Sequence, residues 1–241
     1  MKNGMNIKML KFLSILFFIS IICTDLYLIS INQEKKRYWT KPFIIPGIVL
    51  LYLLFTHQFN LFLLAALLFS FFGDCFLLFS EKKLFFRLGL FSFLTSHLLY
   101  IYTFSEKIPL SKIFSLWSLL LIIPYLIYTY RFLRYLKPYL GYYFIPVILY
   151  IFSIMGMSYS SLLRFWTIPG LSFWFPFIGS LFFIASDTLL AIRNFKYKKK
   201  KGWVIVMVTY ILGQFLIMIG FVNWFWEFGL TEEGDLIYDS N

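Results

Sequence analysis

The sequence predicts an all-α fold, a polytopic membrane protein built as a helical bundle of about eight transmembrane helices in one domain, residues 1–241. Of its 241 residues, 61% are hydrophobic and only 14% are charged. The mean hydropathy of +0.80 is far above that of a soluble domain of this length. Apolar windows close to the roughly 20 residues that span a bilayer follow one another along the chain.

The eight predicted helices are separated by short polar or basic segments. They cover approximately residues 10–31, 42–57, 60–79, 85–104, 113–130, 139–159, 171–192 and 203–223. The weakest boundary is the polar run Thr56-His57-Gln58-Phe59-Asn60, which we interpret as a tight turn between two helices. If this run instead continues a helix, the count becomes seven.

The distribution of basic residues predicts the orientation. With eight spans, 16 of the 22 Lys and Arg residues fall on one side of the membrane. The positive-inside rule then places this basic side in the cytosol and both termini outside it, although the basic N-terminus favours the opposite orientation. Because the cations lie in short clusters between apolar runs, the net charge of +11 does not indicate a nucleic-acid partner.

Composition also gives expectations about location and cofactors. The bias toward Phe, Ile, Lys and Tyr, with few alanines, is typical of an AT-rich bacterial genome and suggests the inner (plasma) membrane. The two cysteines, Cys23 and Cys75, both lie inside predicted spans with no further ligand nearby, so neither predicts a zinc site. No metal and no cofactor is expected.

Two aspartates, Asp74 and Asp187, are the first functional candidates. Each lies about five residues before the end of a long apolar run, where an acidic side chain costs about 2.5 to 3.5 kcal/mol on insertion scales. Asp25 lies at a similar depth, roughly 8 Å inside the basic side at the helical rise per residue. We interpret Asp25 as structural, reaching Lys35 or Lys36 at the interface.

Other polar side chains gather in the same half of the membrane. Lys41 begins the second predicted helix, and His97 lies midway along the fourth. Tyr210 and Gln214, four residues apart, share one face of the eighth. Each of these also fits a purely structural role, since a histidine, tyrosine or glutamine inside a membrane often forms hydrogen bonds between helices.

A faint internal repeat connects these residues. Gly89 and Gly202 each lie fifteen residues after one of the two candidate aspartates, and His97 and Tyr210 each lie twenty-three residues after. The third and fourth predicted helices are therefore expected to repeat as the seventh and eighth, with the aspartates placed symmetrically around a cavity.

Several short motifs, taken in order and spacing, carry a family resemblance. They are Lys41-Pro42, Gly73-Asp74-Cys75-Phe76-Leu77-Leu78, Gly89 to Phe91, His97 to Tyr100, Ser186-Asp187-Thr188-Leu189-Leu190-Ala191 and Tyr210-x-x-x-Gln214-x-Leu216-Ile217. From about residue 40 to 220 the chain resembles the YhhN-like, or transmembrane protein 86, family. Cys75 and Phe76 depart from the small or aliphatic residues expected at their positions.

The resemblance implies lysoplasmalogenase activity, the hydrolysis of the vinyl ether bond of a lysophospholipid to a fatty aldehyde and a glycerophospho-base. By position, Asp74 and Asp187 become the catalytic pair. One carboxyl group is expected to donate a proton while the other stays ionised, as in glycoside hydrolysis, and which one donates is left open. From their depth, Lys41 is expected to meet the lipid phosphate, and His97, Tyr210 and Gln214 to bond the acids or position water.

Two other functions remain open at this point. Gly73-Asp74 is similar to the glycine-aspartate motif of intramembrane aspartyl proteases, but Phe71 stands where a further glycine is needed. A lipid or solute carrier would use the same acids to bind a proton or cation. The preferred headgroup, choline or ethanolamine, and the oligomeric state are also left open.

Overall fold

The computed structural model describes residues 2–56, 58–197 and 204–222, and within these ranges every regular element is helical, which confirms the all-α class. The described α-helices are α1 (Lys2–Ser30), α2 (Ile44–Phe55), α3 (Leu61–Leu78), α4 (Lys83–Ser105), α5 (Leu110–Ile113), α6 (Leu116–Leu121), α7 (Ile123–Leu140), α8 (Phe144–Leu163), α9 (Leu171–Ala191) and α10 (Val204–Ile219).

Six helical stretches in the described part of the chain are long and apolar enough to cross a membrane. They are Ile7–Ser30, Glu34–Phe55, Leu61–Leu78, Lys83–Ser105, Leu116–Trp166 and Leu171–Tyr197. Helix α10 is equally apolar but shorter. The protein is therefore a polytopic helical membrane bundle.

The 51-residue stretch Leu116–Trp166 contains a reversal of the chain. Gly141 lies between α7 and α8 with a φ of +48°, a conformation that glycine adopts without strain. The two helices then run antiparallel, since the Tyr125 hydroxyl lies 3.2 Å from the Ser158 hydroxyl near their far ends. This stretch accordingly supplies two membrane-crossing segments.

The fifth predicted helix differs most from the structure. The sequence predicts one helix over residues 113–130, whereas the structure divides this span among α5, α6 and α7, and α7 continues to Leu140. Arg131, Arg134 and Lys137 lower the hydropathy there, but all three side chains are exposed and interrupt no packing. Long basic side chains near a helix end can reach the interface while the backbone remains helical.

The predicted turn after the second helix is present. Helix α2 ends at Phe55, and α3 begins at Leu61 after Asn60, whose side-chain oxygen accepts a hydrogen bond from the Leu63 amide at 2.9 Å. An asparagine in this position satisfies one of the free amides of the first helical turn. His57, inside this turn, lies outside the described residues.

The most extensive helix packing joins α3 to α4 and α9 to α10, the two pairs that the internal repeat relates. In the second pair, a Cβ on Gly179 would lie 2.8 Å from the Gly213 carbonyl oxygen, so the two backbones are in direct contact. Small residues at such contacts are typical of membrane helix pairs. Gly202, the predicted counterpart of Gly89, lies outside the described residues.

Helices α4 and α9 both pack against α8, which joins the two hairpins into one bundle.

Candidate functional site

Asp74 is held in a buried cluster contributed by three elements. Lys41, in the 3-10 turn that precedes α2, places its Nζ 3.0 Å from Asp74 Oδ1. Tyr210, on α10, donates a hydrogen bond of 2.7 Å to Asp74 Oδ2. Only 2% of Asp74 is exposed, so the carboxylate is paired with a cation away from solvent. Two predicted residues thus contact the first aspartate directly.

Asp187 has a different environment. Its described polar partner is the Tyr150 hydroxyl on α8, which donates to Asp187 Oδ2. The Tyr150 ring packs edge-on against His97, with ring centroids 5.0 Å apart. The His97 Nδ1 lies 3.1 Å from the Ser153 hydroxyl, whereas its buried Nε2 has no hydrogen-bond partner among the described residues. His97 therefore reaches Asp187 only through the tyrosine ring.

An open cleft exposes Asp187 to the space between the helices. It encloses about 60 Å³, which is enough for a few water molecules. Its walls are mostly apolar, and its polar side chains come from Tyr150, Asp187, Thr188 and Asn194. Apolar walls with a small number of polar groups are typical of the sites that bind small apolar ligands.

Phe93 links the cleft to the Asp74 cluster. Its ring lines the cleft and packs edge-on against Tyr210, with centroids 6.0 Å apart. A Cβ on Gly73 would lie 2.5 Å from this ring, so the glycine before Asp74 allows the ring to lie close to α3. Asp74 does not line the cleft, and Phe93 lies between its partner Tyr210 and the cleft.

Gln214 contacts neither aspartate. Its amide nitrogen donates to the Ser70 hydroxyl at 2.9 Å, and its amide oxygen accepts a 2.6 Å hydrogen bond from Tyr100. The Ser70 hydroxyl lies 2.8 Å from that of Ser96, which also bonds the Ala66 carbonyl. This chain of buried hydrogen bonds connects α10 to α3 and α4, as interhelical polar contacts do in membrane bundles.

Asp25 has a partner other than the predicted ones. The Arg37 Nε and Nη2 each lie 3.1 Å from its carboxylate, and the Thr40 hydroxyl donates to it at 2.7 Å. The prediction of Lys35 or Lys36 as the partner, at the interface, is wrong because Asp25 is fully buried. The 3-10 turn Glu34–Trp39 folds Arg37 back onto α1, where its planar guanidinium forms two parallel bonds.

The sequence did not single out Tyr150 or Arg37. Tyr150 is one of 17 tyrosines, and nothing in its local sequence separates it from the others. Arg37 stands in a basic loop beside Lys35 and Lys36, which carry the same charge. The sequence signal that groups Lys41, Asp74 and Tyr210 is their place in the same half of the membrane, and the structure brings these three into contact.

The fold and these contacts define a class, the polytopic helical membrane proteins with a polar site among their helices at the basic end of the bundle. The model of the YhhN family matches residues 36–221, which is most of the chain. The chain therefore belongs to the YhhN family. No curated protein and no solved structure matches it.

Proposed function

We propose that this protein is a lysoplasmalogenase-type hydrolase, cleaving the vinyl ether bond of lysoplasmalogens within the membrane. The observation that carries the proposal is the contrast between the surroundings of the two carboxyl groups. Asp74 is buried against the Lys41 ammonium, whereas Asp187 lines an apolar cleft and is bonded by a neutral hydroxyl. Acid–base chemistry on one substrate needs two carboxyl groups in such unequal environments.

The unequal partners suggest the roles. The Lys41 ammonium and the Tyr210 hydroxyl both stabilise a carboxylate, so we assign the ionised state to Asp74. Asp187 then carries the proton, and its position on the cleft wall suits transfer to a bound lipid. Phe93 separates the Asp74 cluster from the cleft, so Asp74 acts on the substrate through its charge.

The reaction consumes one water molecule. Asp187 protonates the vinyl carbon that does not carry the oxygen, which produces an oxocarbenium ion beside the newly formed Asp187 carboxylate. Water adds to the cationic carbon and returns a proton to Asp187, leaving a hemiacetal. The bond from that carbon to the glycerol oxygen then breaks, the glycerol oxygen takes the hydroxyl proton, and a fatty aldehyde leaves.

The bundle also suits the substrate's shape. A lysophospholipid has one hydrocarbon chain. Because the cleft is open, its apolar walls can contact the part of that chain next to the vinyl ether while the rest lies among the membrane lipids. Its phosphate would lie toward the basic end, where 16 of the 22 Lys and Arg residues gather. We place this end on the cytosolic side of a bacterial inner membrane, as the positive-inside count indicates.

Aldehyde release by the purified protein in detergent tests the proposal. The wild type is compared with Asp74→Asn and Asp187→Asn, and an ester-linked lysolipid serves as the substrate control. Asp235→Asn is the matched variant, since Asp235 lies beyond the last predicted span and outside the family match. Asp187→Asn is expected to lose about 10²- to 10⁴-fold in rate, the contribution of a positioned general acid or base. Asp74→Asn, which removes a charge outside the cleft, is expected to lose a smaller factor.

The outcomes separate the proposal from the alternatives. Loss of aldehyde in both site variants, with activity kept in Asp235→Asn, supports the hydrolase. A folded wild type that releases no aldehyde contradicts it. A carrier would instead lose transport in vesicles when the acids are changed, but Asp74 is already bonded to the Lys41 ammonium, which competes with any transported cation for this carboxylate.

A further inference from the structure

Three tyrosine rings surround one ammonium group at the basic end of the bundle. The Lys196 Nζ lies 4.3 Å from the ring centroid of Tyr135, 5.9 Å from that of Tyr139 and 5.6 Å from that of Tyr197. Lys196 also donates a hydrogen bond to the Tyr135 hydroxyl. We call these three tyrosines the tyrosine cage. Their exposed fractions are 43%, 44% and 51%, so a ligand can reach them.

The geometry of the cage is that of an ammonium-binding site. A cation within about 6 Å of an aromatic centroid is attracted by the negative face of the ring, and several rings around one cation form an aromatic cage. Tyrosines are common at membrane interfaces, but that preference alone does not direct three rings onto one nitrogen atom. The hydroxyl of Tyr135 adds an acceptor suited to a primary ammonium.

The cage adjoins the cleft that holds Asp187. Phe132 lines the cleft, and Tyr135 and Tyr139 follow it by one and two turns of α7 toward the basic end. On the other wall, Phe195 lines the cleft immediately before Lys196 in the π-helical turn Ile192–Tyr197. A lipid whose chain occupies the cleft would therefore extend its headgroup toward the cage.

The spacing agrees with the length of a phospholipid headgroup. Lys196 follows Asp187 by nine positions, which is at most roughly 13 Å at the α-helical rise, since the π-helical turn rises less per residue. In a lysoplasmalogen, about ten bonds connect the vinyl carbon bearing the oxygen to the headgroup nitrogen, which is roughly 12 Å when extended. The cleavable bond can thus lie at Asp187 while the headgroup nitrogen lies at the cage.

We propose that the tyrosine cage binds the ammonium of an ethanolamine headgroup and that Lys196 occupies the cage until the lipid arrives. The end of the lysine side chain and the end of ethanolamine are the same chemical group, a primary ammonium on a methylene chain. Choline keeps the ring contacts but cannot donate a hydrogen bond to Tyr135. The proposal rests on the proposed function for the lipid class and adds its headgroup.

Binding of non-cleavable lipids tests the cage separately from hydrolysis. The full chain in detergent is titrated with alkyl-ether lysolipids carrying either an ethanolamine or a choline headgroup, and dissociation constants are measured. Tyr135→Phe is expected to weaken the ethanolamine lipid about three-fold and leave the choline lipid unchanged, because only the hydroxyl is removed. Tyr139→Leu is expected to weaken both lipids two- to five-fold, as loss of one exposed cation–π contact does.

Two further variants complete the test. Lys196→Gln is expected to bind the ethanolamine lipid more tightly by several-fold, because no resident ammonium has to be displaced. Tyr142→Leu is the matched control, since Tyr142 is an exposed tyrosine at the same end of the bundle whose ring faces Arg87.

Equal effects of Tyr135→Phe on both headgroups, or unchanged or weaker binding in Lys196→Gln, would overturn the proposal. Selective binding without any aldehyde release would retain the cage and reject only the hydrolase.

Discussion

Asp74 and Asp187 lie at corresponding positions in two helix pairs, α3–α4 and α9–α10, yet their surroundings differ. Asp74 in α3 is buried and paired with the Lys41 ammonium, and Tyr210 reaches it from the other pair. Asp187 in α9 lies on the wall of a cleft and is bonded by Tyr150 from α8. One carboxyl group is thus neutralised by the protein, and the other is open to a ligand.

This difference shows how a repeated framework can supply two unlike acids. Helix pairs place a carboxyl group at a given depth, but the elements packed around each pair decide its partner. The turn before α2 brings a cation to Asp74, whereas α8 brings a phenol to Asp187. The elements packed around each helix pair therefore decide the chemical environment of its aspartate.

Removing the Lys41 ammonium should have the largest effect on the free energy of unfolding. Lys41→Met leaves the Asp74 carboxylate buried without its cation, and we expect a loss of about 3 to 5 kcal/mol in the free energy of unfolding. Asp187→Asn should change this free energy by less than about 1 kcal/mol, because its described partner is a neutral hydroxyl. Denaturant unfolding of the purified protein in detergent measures both.

A double variant provides the control for this prediction. Lys41→Met combined with Asp74→Asn removes both charges and should recover most of the lost stability while the aldehyde-releasing activity stays absent. A double variant as unstable as Lys41→Met alone would mean that Lys41 stabilises the fold through other contacts.

The two helix pairs should also respond differently to an added methyl group. In Gly179→Ala the new Cβ meets backbone, 2.8 Å from the Gly213 oxygen and 2.9 Å from the Ile217 nitrogen, so α9 and α10 must separate. We expect a loss of about 1 to 3 kcal/mol. In Gly89→Ala the nearest atom is the Leu77 Cδ2 at 2.9 Å, which can rotate away.

The same unfolding assay compares these two glycine variants. The loss in Gly89→Ala should stay below about 1 kcal/mol because a flexible side chain yields more easily than backbone. Equal losses in the two variants would contradict the difference in packing.

The smallest expected effect is that of removing the hydroxyl group of Tyr150 or Tyr210. Tyr150→Phe removes the hydroxyl that donates to Asp187, and we expect aldehyde release to fall about five- to ten-fold, the value of one hydrogen bond to an ionisable group. Tyr210→Phe should reduce it less, because Lys41 still holds Asp74. A steady-state assay of both variants checks the order, and a larger loss in Tyr210→Phe would reverse our assignment of the two halves.

Much of the fold follows from local sequence. Apolar runs of bilayer length predict the helices because the bilayer requires internally bonded backbone. Helix α7 departs from this rule, because exposed basic residues lower the hydropathy of a segment that remains helical. Depth along a helix is also local, since it depends only on counting residues. Depth alone therefore placed Asp74 and Asp187 at one level, whereas it placed Lys41 at the interface and did not predict its contact with Asp74.

The partners of each polar group depended on the tertiary structure. Arg37, and neither neighbouring lysine, reaches Asp25, because the 3-10 turn directs one of several equivalent cations inward. His97 and Gln214 lie deeper than the acids and bond serines and a tyrosine instead. The helices, their membrane-spanning character and the depth of each aspartate follow from the sequence alone, because they depend on residues close together in the chain. Only the packing of distant helices decided which acid meets a cation and which faces the cleft.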